Sequence, residues 1–252
     1  MSAGALIYCF DTEQVQYHAC TNFAISLIKK NLNLPVTVVT NEQTKEHIRG
    51  QDQILLIEQK KGNRRFYNGN VVPWYNADRT EAYEHSPYDT TLLLDSDYFV
   101  YTNNLLQLLS SDEEFLLYQD AYDLTDRKSF DYQTMSVIPM VWATVIVFKK
   151  CEKSKQIFEM VKHIKSNYSY FCNLYRIQFS NYRNDYAFAM ALNQLFPEEK
   201  RHLIPGSMSM LPADTEVTRI DEHGLTFKFD KYINFIEGHD VHVYNKEIKF
   251  NV

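Results

Sequence analysis

Short apolar runs rich in β-branched or aromatic residues recur at positions 5–10, 36–40 and 54–57, and one stretch with a helical period lies between the first two. That alternation constrains the fold more than any other feature of the chain. In the intervening stretch Tyr17, Cys20, Phe23, Ala24, Leu27 and Ile28 return to one face every three or four residues, the spacing of an amphipathic helix. The pattern breaks near Lys30, ahead of Asn31, Asn33 and Pro35, residues that stop helices. Strand, helix, strand and strand in that order open an α/β sheet.

Further along, residues 60–70 (KKGNRRFYNGN) are rich in glycine and asparagine and are expected to form a loop. Its basic residues Lys60, Lys61, Arg64 and Arg65 read as a solvated face, with a phosphate- or acceptor-facing patch as the alternative. Residues 74–85 are predicted helical and stop at Ser86-Pro87, because the residue before a proline is pushed out of the α region. Strands are expected at 90–94, 115–118 and 142–148, and a short helix at 104–109. Ile157, Phe158, Val161 and Ile164 mark a later helix face, Tyr182, Tyr186, Ala189 and Met190 another, and a tail of strands begins near Leu225. No repeat or linker divides the 252 residues, so one domain is expected, with residues 1–100 and 101–252 as its two halves.

Composition removes several classes of function. At 45% hydrophobic and 23% charged residues the chain has enough apolar surface to fold. Its longest nearly apolar stretch, residues 137–148, falls well short of the ~20 residues that span a bilayer. The 5–10 run lacks a basic flank, so no cleaved signal peptide is expected and the expected location is the cytoplasm. Cys9, Cys20, Cys151 and Cys172 have no metal-knuckle spacing and are expected to be free thiols. A net charge of -6 argues against broad attraction to nucleic acid, while leaving room for a local basic groove.

The segment SPYDTTLLLDSD carries the clearest chemistry. An apolar strand delivers Asp95 and Asp97 to its C-terminal end, the edge where ligands bind in open α/β sheets. Residues at i and i+2 share a face in an extended chain, so both carboxylates can turn to one ligand. Two hard oxygen donors at that spacing suit Mg²⁺ or Mn²⁺ carried on a diphosphate, since these ions retain water and take few protein carboxylates. A pair of acidic turn residues after a strand is the bland alternative.

The same run resembles the signature of the GT-A glycosyltransferases, nucleotide-diphospho-sugar transferases of the family 8 kind, in which a D-x-D motif follows an apolar strand. The likeness extends in order along most of the chain. ALIYCF, Tyr17, Ala24, Ser26-Leu27 and PVTVVTN are similar to the first strand, helix and second strand of the nucleotide-binding half; WATVIVFK resembles the strand after the metal site, without its usual asparagine and glycine; NDYAFAMALNQL resembles the family's D-Q segment; and His242 with Lys246 is similar to a C-terminal histidine and lysine. The resemblance implies a Rossmann-like mixed sheet flanked by helices in a single domain. It also implies an enzyme that moves a sugar from a nucleoside diphosphate donor, expected to be a UDP-sugar, to an acceptor hydroxyl. Mn²⁺ or Mg²⁺ would be held by Asp95, Asp97 and His242. Phe10, Asp11, Tyr17, Thr40, Arg79, Ser96 and Lys246 would contact the donor nucleotide, and Asp185, with Asp120 as alternative, would be the carboxylate near the reacting carbon.

His239 rivals His242, because two histidines separated by an odd interval face opposite sides of a regular strand. A phosphatase of the haloacid-dehalogenase type also places D-x-D after a strand. It would normally carry threonine or valine where Phe99 stands, and no G-D-x-x-x-D follows here. A binding protein that kept the fold and lost turnover is the third class. The acceptor stays open among a glycan, a protein side chain, a small molecule and hydroxymethylated bases of viral DNA, the last fitting a viral or phage-type member; no membrane partner is expected.

Overall fold

The computed structural model describes residues 2–58, 64–67, 70–73, 75–126, 136–177, 181–197, 203–248 and 250. Strand β1 (Ala3–Tyr8), helix α1 (Tyr17–Leu32), β2 (Val36–Thr40), the short α2 (Glu42–Lys45) and β3 (Gln53–Leu56) follow the expected order. Helix α1 ends where Asn33 takes the left-handed conformation at φ 52°, with Lys29 and Lys30 in the last turn where they complement the helix dipole. After it, β2 runs parallel to β1, and β3 parallel to β2.

Next come β4 (Arg64–Tyr67) and β5 (Asn70–Pro73), an antiparallel pair. This corrects the expectation of a loop across residues 60–70. Tyr67 pairs with Asn70, so an Asn-Gly dipeptide separates the strands, and that dipeptide favours two-residue hairpin connections. Lys60 and Lys61 lie outside the described residues, as do the side chains of Arg64 and Arg65. The helix expected over 74–85 is a 3₁₀ helix at Tyr75–Glu81 continued by α3 (Ala82–His85); residue 74 lies outside the described residues.

The main sheet is completed by β6 (Thr90–Leu94), β8 (Phe115–Tyr118) and β10 (Trp142–Lys149), in the order β3-β2-β1-β6-β10-β8. Its first four strands are parallel and the last two alternate. Central strands of this sheet are buried on both faces, which explains their nearly unbroken apolar sequences. Ala5, Ile7, Leu92, Leu94, Val145 and Val147 pack on one side with α1, while Leu6, Leu93, Ile146 and Phe148 pack on the other. That second side is covered by α5 (Glu152–Ser166) and α7 (Asn184–Leu195), with α6 (Tyr168–Leu174) beyond α5.

A second sheet joins distant parts of the chain. It contains β7 (Tyr98–Phe99), β9 (Asp120–Asp123), β11 (Ser207–Leu211) and β15 (Val241–Val243), in the order β7-β15-β11-β9. Between β11 and β15 the chain forms a third sheet of β12 (Glu216–Ile220), β13 (Gly224–Phe229) and β14 (Tyr232–Glu237). Met210, Val241, Leu225 and Phe227 from these sheets enter the same core as α1. The expected tail of strands is present, but only β15 reaches the site. Helix α4 (Leu105–Leu109) follows β7.

One glycine sets the packing at the start of β1. A Cβ on Gly4 would lie 2.3–2.5 Å from ring atoms of Tyr88, whose hydroxyl shares a 2.8 Å hydrogen bond with Thr37 on β2. The bare backbone lets that ring lie across β1 and tie the Ser86-Pro87 turn to the neighbouring strand. Gly4→Ala is therefore expected to destabilise the fold by about 1–3 kcal/mol through overpacking. In a Tyr88→Ala background the same change should cost much less, a non-additivity that denaturant unfolding of the four variants measures.

Candidate metal and donor site

Parallel strands β1, β2 and β6 all end on one edge of the main sheet, and the site is built there. Asp95 directly follows β6, and its N–H donates to the Thr144 carbonyl of β10 at 3.0 Å. Its Oδ1 accepts bonds from Arg79 Nη1 at 2.5 Å and Asn76 Nδ2 at 3.0 Å. Those two residues sit three apart in the 3₁₀ helix, where i and i+3 eclipse and so present side chains to one target. Lys165 of α5 fastens that helix from behind, donating to the Ala77 carbonyl at 2.7 Å and to Asp78 Oδ1 at 3.1 Å. Asn184 of α7 donates to the Asn76 carbonyl at 3.1 Å.

The other half of the site arrives from the C-terminal segment. Asp240 accepts bonds from Tyr101 N–H and Thr102 N–H, both at 2.8 Å, and from the Thr102 hydroxyl. This clamp starts β15 beside β7, with His242 level with Tyr98, and Val243 N–H donates to the Asp97 carbonyl at 3.0 Å. His242 Nε2 consequently lies 3.1 Å from Asp97 Oδ1 and 3.8 Å from Asp95 Oδ2. Its Nδ1 lies 3.3 Å from the Thr144 hydroxyl. Lys246 pairs with Asp97 Oδ2 and donates to the Val243 carbonyl.

One ligand atom each from Asp95, Asp97 and His242 lie within 4.8 Å of one another. Two carboxylate oxygens and one imidazole nitrogen are donors that divalent Mg²⁺ or Mn²⁺ accepts, so the residues present fit such an ion. Burial holds the His242 imidazole below its usual pKa despite the opposing pull of Asp95 and Asp185. The ring is thereby kept neutral, the form that offers a lone pair to a metal. The tautomer with Nδ1–H donating to Thr144 would leave Nε2, the atom that faces both carboxylates, as the ligand atom.

Arg79 is 2% exposed. Its Nε and Nη2, together with Asn76 Oδ1 and Asn184 Oδ1, find no hydrogen-bond partner among the described residues. Buried donors and acceptors in that state are costly, and they belong to the two residues that bond Asp95 and to Asn184, which bonds the Asn76 carbonyl. Asp185 is held nearby by Ala143 N–H at 2.9 Å and by Arg183 at 3.2 Å. Ala143 precedes Thr144 in β10, so that strand carries contacts to Asp185 and to His242 on adjacent residues.

The remaining residues singled out from the sequence are placed as follows. Ser96 is buried between the two aspartates. Phe10 and Asp11 follow β1 at the same sheet edge; the Phe10 ring packs against Tyr8 and Tyr75, and Asp11 accepts bonds from His18 N–H at 2.9 Å and His18 Nδ1 at 2.6 Å. Thr40, the last residue of β2, is fully buried and donates to the Cys9 carbonyl. Tyr17 opens α1 and packs partly against the core. Asp120 is exposed on β9, two strands from β15 and three residues before Asp123, which is level with Met210 and hence with His242. At about 4.8 Å per strand and 3.3 Å per residue, its Cα is roughly 14 Å from that of His242. His239 bonds Ser209 at 2.7 Å, outside the three-residue cluster. Asn76 and Thr144 carry site contacts that the sequence reading missed; Thr144 had one local signal, a lone polar residue inside an apolar strand.

No protein-family model and no curated protein sequence matches the chain. Solved structures do. The galactosyltransferase LgtC, crystallised with donor and acceptor sugar analogs, aligns with a TM-score of 0.51 at 17% identity, covering 79% of this chain and 72% of that one. A second LgtC structure, an active-site mutant, gives a TM-score of 0.50 at 16% identity over 77% and 70% of the two chains. The glycosyltransferase GlyE of Streptococcus pneumoniae TIGR4 aligns at a TM-score of 0.46 and 16% identity, covering 81% of this chain and 45% of that one. The chain thus spans less than half the length of the GlyE chain. At such identities the LgtC likeness concerns architecture. The mixed α/β sheet flanked by helices, expected from the sequence as GT-A, is the fold this chain shares with that galactosyltransferase.

Proposed function

We propose that the chain is a metal-dependent glycosyltransferase that moves a sugar from a nucleoside diphosphate donor, a UDP-sugar in the first instance, to an acceptor hydroxyl. One observation carries this reading: Asp95, Asp97 and His242 converge within 4.8 Å at the ligand-binding edge of a sheet with this fold. Asp95, Asp97 and His242 would hold Mn²⁺ or Mg²⁺, which would supply positive charge to a departing diphosphate. Arg79 and Lys246, each paired to one of the two aspartates, add fixed positive charge beside the same oxygens, which is worth most where water is excluded. The unbonded Nε and Nη2 of Arg79 are the donors available for that contact.

Transfer breaks the bond from the anomeric carbon to the diphosphate oxygen and forms one to the acceptor oxygen. The acceptor's proton must leave as that bond forms. Asp185, oriented by Ala143 N–H and Arg183, is the carboxylate assigned to receive it in an inverting reaction, or to stabilise the cationic sugar centre in a retaining one. Asp120 is the alternative carboxylate and would need an acceptor reaching about 14 Å across the second sheet. Phe10, Asp11, Tyr17, Thr40 and Ser96 form the proposed wall for the nucleoside. Of these, Thr40 and Asp11 already spend their side-chain oxygens within the protein, so Phe10 and backbone groups at that edge are the more direct contacts.

Donor hydrolysis and transfer, screened across nucleotide sugars with Mn²⁺, with Mg²⁺ and with chelator, test the reading. Turnover should appear with a metal and vanish with chelator. Asp97→Asn should lower metal-dependent turnover by roughly 100-fold or more, since it removes an anionic ligand and the carboxylate that pairs with Lys246; thermal melting of the same samples verifies folding. Near-normal turnover of that variant at saturating Mn²⁺ would overturn the metal assignment.

The two histidines give a direct contest. His242→Ala should weaken Mn²⁺ binding by at least about tenfold, whereas His239→Ala should leave it nearly unchanged, as measured by calorimetric titration of each variant. The reverse order would transfer the ligand role to His239.

A further inference from the structure

Strand β14 is the outer strand of its sheet. β13 pairs with it from Tyr232 to Glu237, and among the described residues no strand pairs with its other edge. An antiparallel neighbour bonds the backbone groups of alternate residues only, so the rest of β14's N–H and C=O groups point outward. Its side chains are also uncovered: Tyr232 is 60% exposed, Ile233 71% and Phe235 56%. An apolar edge of six residues without proline is a template for further strand pairing.

We propose that this edge binds a second copy of the chain, β14 pairing antiparallel with its own mate about a two-fold axis at Asn234. A two-fold axis perpendicular to a sheet keeps each side chain on its face, so only residues on the same face oppose one another. Centred on Asn234, the register sets Tyr232 opposite Ile236 and Ile233 opposite Phe235 of the second copy, each twice by symmetry, and brings Glu237 of the second copy to the end of β14 where Lys231 stands in the turn before the strand. Ile233 and Phe235 from the two copies then form one apolar cluster on the outer face. Shifting the centre by one residue toward Phe235 opposes Glu237 to Ile233; shifting it the other way carries Phe235 to the strand end beside the Lys231 turn. Both alternatives set a charge against an apolar side chain, and the Asn234-centred register instead closes both ends with opposite charges. Neither Lys231 nor Glu237 has an ion pair among the described residues; the Lys231 ammonium rests over the Tyr232 ring.

A lipid surface would cover the same side chains but leave the outward backbone groups unbonded, whereas a mate satisfies them. Six residues a side fall below the roughly 1,200–2,000 Å² of a standard stable interface. The dimer is therefore weak, dissociating in about the micromolar range or above.

Sedimentation velocity across a concentration series tests the register. Wild type should shift from monomer to dimer as concentration rises. Phe235→Asp should abolish the shift, with circular dichroism unchanged because the residue is exposed. Lys231→Glu and Glu237→Lys should each weaken association roughly tenfold, as the two opposite-charge contacts at the strand ends become repulsive, and the double variant should restore it. A monomer at all concentrations, a dimer indifferent to Phe235→Asp, or a double variant no stronger than the singles would overturn the proposal. So would a monomer that cosediments with phosphatidylcholine–phosphatidylglycerol vesicles through Phe235.

Discussion

Two carboxylates two residues apart, both largely withdrawn from water, are the constraint around which the rest of the molecule is arranged. Asp95 and Asp97 have side chains 17% and 9% exposed. Uncompensated, each would cost several kcal/mol in the folded state. The chain offsets this with a cation for each, Arg79 for Asp95 and Lys246 for Asp97, drawn from segments on opposite sides of the motif in sequence. Neither cation is local to its aspartate, so the charge pattern forms only when the fold does. Like charges held this close also attract a further cation, which gives the acidic pair its capacity for a divalent ion.

Topology brings those cations in. The parallel strands β1, β2 and β6 end on one edge, so whatever follows them is collected there. Arg79 reaches that edge because the 3₁₀ helix is braced from two other helices, by Lys165 of α5 and Asn184 of α7. His242 and Lys246 reach it because β15 is inserted between β7 and β11, and β7 begins directly after Asp97. A two-residue strand thus converts a sequence separation of 145 residues into a 3.1 Å contact.

How far the sequence anticipated this depends on whether the information was local. The strands β1, β2, β6 and β10 were legible because burial on both faces leaves an unbroken apolar run. α1, α5 and α7 were legible because one apolar face repeats at helical spacing. β4 and β5 were missed because glycine and asparagine were read as loop markers for the whole segment, when only Asn68-Gly69 stands between the two strands. β7, with two residues, and β9, whose sequence DAYD is mostly polar, carry no period long enough to read; they exist because β15 and β11 pair with them. At the site, the two aspartates and the histidine were visible as a pattern, whereas Asn76 was not. Its bond to Asp95 depends on the chain winding as a 3₁₀ helix, where it aligns with Arg79, and residues 74–85 read as a simple helix. Which of His242 and His239 stands beside the aspartates was likewise beyond the sequence, since it rests on where β15 begins, and Asp240's bonds to Tyr101 and Thr102 fix that start.

The same Asp240 clamp governs how the exposed edge relates to the site. Only residues 238–240 separate β14 from β15, and Gly238 turns the chain there at φ 60°. Movement of β14 would be passed straight to His242 if those residues were loose. They are not: His239 is bonded to Ser209 of β11, and Asp240 holds two backbone N–H groups and a hydroxyl just after β7. Burial raises the Asp240 pKa while its bonds to Thr102 and Tyr101 oppose that rise, so the carboxylate is already committed to fixing this corner. Strain entering along β14 meets these anchors before it reaches His242. A surface strand that ends five residues from the site's histidine can therefore gain or lose a neighbour while the geometry of Asp95, Asp97 and His242 stays set by the two sheets that hold them.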